Sequence, residues 1–268
     1  MVSCPEILSS CIVRVKAILN RVTRTADRDQ IRRILNTDRV WSIYALADLD
    51  PHLFDLCEWW IEGDALALVF TGIAIRPIFV IGPKHDALPL LEALPVEQGY
   101  LNLRDEYASQ ATYKYVEPHR MRRMVIDTLT PRQSAATIPL GPQHVEAVQA
   151  LYATGTGAGV AFGAFQLDTG FVRGVFHKKE LIAVAGVHVV STNESVAGVG
   201  NVFTRADHRG LGLAQITTSA VTLALLEAGI QTIGLNVEQN NAPAIAAYEK
   251  LGYRKAFEYW EGTAVRVS

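Results

Sequence analysis

Cysteine is scarce in this chain of 268 residues, with three in all, at positions 4, 11 and 57. An odd number, widely spaced and without paired metal-type spacing, gives no disulfide framework and no metal site. Reduced thiols in a cytoplasmic protein are expected. None lies beyond Cys57, which excludes a cysteine nucleophile from the second half. Basic excess is also missing: 25 Lys and Arg stand against 27 Asp and Glu, a formal net charge of −2. No nucleic-acid partner is expected on that balance, and there is no acidic tail. Apolar runs break off well short of the ~18 residues that a membrane-spanning helix needs, so no membrane partner is expected. The string LSSC at 8–11 resembles a lipoprotein cleavage box, but only MVSCPEI precedes it, so no leader is expected. Asn193-Glu194-Ser195 spells a glycosylation acceptor, which carries no weight in a cytoplasmic protein. Two nucleotide signatures are absent as well. No string fits a P-loop, and GTGAGVAFG at 155–163 has Val160 where a dinucleotide loop needs glycine.

What is present is a globular composition, 49% hydrophobic and 19% charged, long enough for one large domain or two ordinary ones. Ile7, Leu8, Cys11, Ile12, Val15, Ile18, Leu19 and Val22 fall at helical spacing. Asp27 can cap a second helix reaching about Asn36, and 38–49 reads as a third. Apolar runs at 57–62, 65–72 and 76–81 predict a strand meander, followed by a helix at 84–94 and a strand or strand pair at 119–128. The polar stretch LTPRQS, 129–134, carries the linker signal, giving an N-terminal α/β domain over 1–130 and a second domain over 134–268. The second half predicts a strand at 135–139, a helix from Pro142 to about Tyr152, a hairpin of 171–176 and 181–190, and a strand at 196–204. A helix at 212–228, a strand at 231–237, a helix at 242–251 and a terminal strand pair over 253–266 follow. The fold class expected is α/β of the α+β mixed kind, with a mostly antiparallel sheet. No internal repeat is visible.

The stretch NVFTRADHRGLGLAQ, 201–215, removes side chains at a strand-to-helix junction. A helix N-terminus offers unpaired N–H groups and a partial positive charge to an anion. Close approach of a diphosphate needs the bare backbone that Gly210, Gly212 and Ala214 supply, and Arg209 can add a charge-assisted hydrogen bond. A tight turn that needs glycines for its own geometry is the plainer alternative.

Arg209-Gly210-Leu211-Gly212-Leu213-Ala214 fits R/Q-x-x-G-x-G/A, and NNAPAIAAYEKLGYRK at 240–255 keeps Asn241, Ala244, Tyr248 and Gly252 at the spacing N-x-x-A-x-x-x-Y-x-x-x-G-F, with Tyr253 for Phe. In these two signatures, in this order, the region 134–268 resembles the GCN5-related N-acetyltransferases. That family includes chains with a degenerate copy of the fold in front, for which residues 1–130 are the candidate here. The resemblance implies acetyl-CoA (coenzyme A) as cofactor and an N-acetyltransferase that passes the acyl group directly to an amine. It implies that the strand ending in Val202, Phe203 and Thr204 splays from its neighbour and bonds the pantetheine arm, with the diphosphate on the amides of 210–214. Tyr248 takes the place of the general acid, and Asn241 caps its helix or bonds the pantetheine.

Each of these residues also has a plainer reading: Tyr248 as a core tyrosine, Asn241 as a cap alone. His188 reads as a half-buried structural histidine and His208 with Asp207 as solvent-facing. No glutamate lies in 196–204 to serve as base. Trp41, Trp59 and Trp60 read as core or domain-contact residues, with an aromatic wall for the acceptor as the alternative. The acceptor, a small-molecule or peptide amine, and the choice between monomer and homodimer are left open. A non-catalytic acyl-CoA-binding sensor or structural module is the alternative from another class. In the first half, VIGPKHDALPLL (80–91) puts Pro83 and His85 where bare backbone is needed, so one cofactor per chain is expected.

Overall fold

The computed structural model of the chain describes residues 22–108, 112–132, 134, 136–155, 159 and 161–267. The helix expected over 5–22 lies, but for Val22, outside the described residues, as do Cys4, Cys11 and part of the glycine stretch 155–163. In chain order the first half forms β1 (Thr23–Thr25), α1 (Arg28–Leu35), α2 (Ile43–Ala47), α3 (Pro51–Phe54), β2 (Cys57–Glu62) and β3 (Ala65–Phe70). It continues with β4 (Pro77–Ile81), α4 (Lys84–Ala93), β5 (Gln98–Arg104), α5 (Asp105–Ala108), β6 (Tyr113–Tyr115) and β7 (His119–Ile126). Then come β8 (Thr137–Leu140), α6 (Val145–Tyr152), β9 (Val172–His177), β10 (Glu180–Ser191) and β11 (Val196–Thr204). The chain closes with α7 (Leu213–Glu227), β12 (Thr232–Glu238), α8 (Ala242–Glu249) and β13 (Tyr253–Arg266).

Local chemistry explains most of these limits. Asp27 caps α1 by accepting from the amides of Asp29 and Gln30, a bond worth about 1 kcal/mol. The helix expected over 38–49 shrinks to α2. The backbone ahead of it is committed elsewhere, since the Val40 carbonyl accepts from Arg123 Nη1 at 2.8 Å. The strand β5 was not anticipated, although Gly99, Leu101 and Leu103 alternate inward along it. The terminal strand pair is one strand, β13.

The described residues divide into two compact units, and each is discontinuous in sequence. The first takes the residues up to Asp38, Pro51–Arg120 and the end of the chain from Tyr259. There β1 to β4 form an antiparallel meander, and β5 lies parallel to β4 with α4 between them in sequence. Val69, Ile78, Val80, Leu90, Leu91 and Leu101 form its core.

The second unit is Arg39–Asp50 with Met121–Glu258. Its sheet runs β7-β12-β11-β10-β9-β8. The strands β8 to β11 are antiparallel, β12 lies parallel to β11, and β7 pairs with β12 antiparallel. Met124, Val187, Val199, Val221, Leu225 and Leu235 form the core. The α2 segment is tied in by Arg39, which donates to the Glu194 carbonyl at 2.6 Å and to Thr232 Oγ1 at 3.2 Å. Thr130 and Arg132 pack here too: Thr130 N–H bonds the Leu251 carbonyl at 2.9 Å, and Arg132 N–H bonds Ser219 Oγ at 2.9 Å.

Candidate active site

Parallel pairing of β11 with β12 runs from Val196 opposite Thr232 to Val199 opposite Leu235. Beyond that both strands continue, to Thr204 and Glu238, without pairing to each other. The cause lies at Asn201, which has φ of +54°. Gly200 faces Gly186 and Phe203 faces Val184, so Asn201 and Val202 stand against Ala185 alone. An extra residue of this kind bends a strand, and the end of β11 turns from β12 while its pairing with β10 resumes at Phe203. The resulting gap opens into a cavity of about 940 Å³ in the second unit. Val202, Phe203 and Thr204 line one wall, Asn236 and Glu238 the other, and Tyr248 of α8 also faces it.

At the cavity mouth the chain turns from β11 into α7. Gly210 (φ +80°) and Gly212 (φ +74°) hold left-handed conformations that a side chain would strain. Among the described residues no backbone acceptor meets the N–H groups of Gly210 through Gln215, while the regular ladder starts with Ile216 on the Gly212 carbonyl. Unpaired, helix-oriented amides are a receptor for an anion. Arg209 folds onto the end of β11, its Nε donating to the Thr204 carbonyl at 3.2 Å, with the guanidinium 6.0 Å from the Phe203 ring centre. Leu213 and Ala214 line the mouth, whereas the Leu211 side chain is 63% exposed and does not line the cavity. Sequence reasoning missed Arg132. A Cβ on Gly212 would lie 2.9 Å from its Nη2, and its Nη1 bonds Gln215 Oε1. A cation against a helix N-terminus opposes the helix dipole, and an anion seated between them relieves both.

Tyr248 is buried, and its ring meets Tyr253 edge-on at 6.1 Å. Among the described residues its hydroxyl has no hydrogen-bond partner, and burial pushes the phenol up to about 12. It therefore keeps its proton at neutral pH and can give it away. Asn241 caps α8, accepting from the Ala244 amide at 3.2 Å, and also lines the cavity. His188 is half-buried, and desolvation pushes it down to about 4, so the ring is neutral. Its Nε2 accepts the Asn201 N–H at 3.2 Å, which uses the lone pair that a base would need. His208 departs from the solvent-facing reading: it lines the cavity, with Nδ1 2.8 Å from the Asp207 carboxylate. Trp41 and Trp59 are buried, as expected of core residues. The glycines inside strands, Gly198, Gly200 and Gly234, were the signal for the groups that pack against the sheet here. A Cβ on them would meet Tyr44 at 3.2 Å, His188 at 2.3 Å and Ile43 at 2.7 Å.

A meander whose last strand splays from a parallel neighbour, with a bare-backbone junction at the mouth of the gap, defines the GCN5-related N-acetyltransferase (GNAT) fold. Residues 172–261 match the family model described as FR47-like protein, which bears out the resemblance of the C-terminal half. No curated protein matches the chain in sequence. Among solved structures, a GNAT-family protein from Novosphingobium aromaticivorans shares 18% identity at a TM-score of 0.62, over 86% of this chain and all of that one. A GCN5-related N-acetyltransferase from Kribbella flavida shares 16% at 0.57, over 86% and 95% of the two chains. A tandem GNAT protein from the clavulanic acid biosynthesis pathway shares 12% at 0.55, over 92% and 98%. These likenesses establish the fold.

Proposed function

We propose that this chain is an acyl-CoA-dependent N-acyltransferase that moves an acetyl group from acetyl-CoA directly to an amine, with residues 134–268 as the catalytic region. One observation carries the reading. The mutual pairing of β11 and β12 stops at Val199 and Leu235, and the resulting gap joins six acceptor-free amides at its mouth to a protonated phenol in its wall. The amides of Gly210 to Ala214, with Arg209, would hold the diphosphate. The freed backbone of Val202 to Thr204 would bond the pantetheine amides as an added strand does, and Asn241 stands beside it. Bound there, acetyl-CoA supplies the acetyl group as a thioester. A strand N–H near Phe203 polarises the acyl carbonyl. Tyr248 donates the proton with which the departing thiol leaves. With no carboxylate in β11 and the His188 lone pair occupied, the amine proton leaves through water. The acceptor is a small-molecule or peptide amine.

Calorimetry with acetyl-CoA, followed by thiol release on a panel of amines, tests the reading. Binding with turnover, and a loss of turnover on Tyr248→Phe, are expected. Binding without turnover on any amine, with Tyr248→Phe inert, would leave the chain an acyl-CoA sensor instead.

A further inference from the structure

The backbone N–H, the backbone carbonyl and Nδ2 of Asn201 are each engaged by a side chain from elsewhere in the second unit. Its N–H donates to His188 Nε2 at 3.2 Å, its carbonyl accepts from the Tyr152 hydroxyl at 2.7 Å, and its Nδ2 donates to Gln166 Oε1 at 2.7 Å. Gln166 Nε2 in turn donates to the His188 carbonyl at 3.2 Å. The ring of His188 has one possible neutral form in this setting. Because Nε2 accepts a backbone N–H it carries no proton, so the proton is on Nδ1 and is donated to the Tyr44 hydroxyl oxygen, 3.0 Å away. Two glycines make room for the pair: a Cβ on Gly200 would lie 2.3 Å from His188 Nε2, and one on Gly198 would lie 3.2 Å from the Tyr44 hydroxyl.

We propose that His188 and Tyr44 are positioning residues of the acyl-CoA site: a neutral imidazole, its tautomer fixed by the tyrosine hydroxyl, holds the Asn201 bulge and so keeps the end of β11 apart from β12. The inference rests on the acyl-CoA reading above and assigns no proton transfer to the histidine. Asn201 is a non-glycine residue at positive φ, which persists only where its surroundings over-determine it. Removing the imidazole acceptor leaves its N–H without a partner, and a negative φ with regular pairing becomes the cheaper arrangement. The walls of the gap then approach each other, and the strand end offered to the cofactor is lost. Tyr44 comes from α2, far from the two signatures in sequence, so neither motif carries this part of the site.

The acceptor is separated from ring bulk by two substitutions. His188→Gln keeps an oxygen acceptor near the Nε2 position, whereas His188→Phe keeps the ring and removes the acceptor. By calorimetry, His188→Phe is expected to raise the Kd for acetyl-CoA by about tenfold or more, and His188→Gln by less than about threefold. Amide exchange at Asn201, read without ligand, is expected to be slow in the wild type and in His188→Gln and at least about tenfold faster in His188→Phe. Wild-type binding by His188→Phe, or a His188→Gln protein as weak as His188→Phe, overturns the proposal. Should both fail to fold, Tyr44→Phe decides: faster exchange at Asn201 supports the proposal and unchanged exchange overturns it. Absence of heat from the wild type sinks the acyl-CoA reading instead, and the exchange measurement still tests the clamp.

Discussion

Burial keeps the Tyr248 phenol neutral, the state in which the proposed reaction uses it. The neutral phenol is the donating form, and raising its pKa to about 12 extends that form to higher pH. Acid catalysis is therefore lost only as pH rises through about 12, and kcat should show no alkaline fall near the ~10 of a free phenol. Tyr248→Phe should lower kcat about a hundredfold with little change in the KM for acetyl-CoA, checked by steady-state thiol release. At the cavity mouth Gly212 and Gly210 make a controlled pair. Both have positive φ, but a Cβ on Gly212 meets Arg132 whereas one on Gly210 meets nothing within 4 Å. Gly210→Asn should stay within about 1 °C of the wild-type Tm, since asparagine tolerates this conformation, while Gly212→Ala should lose roughly 2–4 °C. Thermal unfolding checks both. His188 adds a pH dependence whose sign is fixed. Its folded pKa, about 4, lies below the ordinary 6.5, so as pH falls from 6.5 to 4 the unfolded chain takes up a proton that the folded one refuses. Stability should fall across that window and level off below it, by at most roughly 3 kcal/mol, and by less because the ring borders the cavity. Asp48, raised to about 7 by burial and by Asp50, acts in the opposite sense as pH rises from 3.8 to 7. The clean measurement is therefore the difference in Tm between wild type and His188→Gln over a pH series, which should grow in favour of the variant as pH drops.

At the scale of elements, what was legible is what repeats a local rule. The junction from β11 into α7 announces itself through Gly210 and Gly212, and α8 through Asn241 at its cap, because both depend on residues adjacent in sequence. The bulge at Asn201 was not legible. It depends on partners from β10, α6 and α2, and no local pattern distinguishes this asparagine from any other in a strand. The strand glycines did carry the message, as empty places awaiting neighbours that only the fold supplies. The first unit shows the contrast from the other side. It too has a helix between two parallel strands, β4 and β5, but Pro83 precedes α4 and Asp86 sits buried in its first turn, accepting from the Asp64 amide at 3.1 Å. A carboxylate there already satisfies the helix dipole and repels phosphate. The Tyr107 hydroxyl further occupies the Gly82 carbonyl at 2.5 Å. Titration with acetyl-CoA should accordingly saturate at one equivalent per chain, and two equal sites would show that α4 binds as α7 does.

For the whole molecule, the sequence pattern suggested a cut at the polar stretch 129–134, but physical dependence reaches further upstream. The strand β7 pairs with β12 from Ile126 opposite Ile233 to Met121 opposite Glu238. The α2 segment fills the space over Gly198 and Gly234, and Arg39, Arg123 and Asp50 tie it down: Asp50 accepts from Ser191 Oγ at 3.0 Å and from Asn193 Nδ2 at 2.9 Å. A chain of residues 134–268 alone would leave β12 as a bare edge, with the backbone N–H and C=O groups that β7 pairs left open, a template for aggregation. It would also lose Tyr44, and with it the tautomer of His188 and the hold on Asn201. Such a fragment is expected to lack a cooperative thermal transition and to give no heat with acetyl-CoA. Adding back residues 1–133 as a separate chain should restore both only to the extent that β7 and α2 dock. If the fragment instead unfolds cooperatively and binds with wild-type affinity, the upstream segments are dispensable to the site, and the clamp on the bulge loses its anchor.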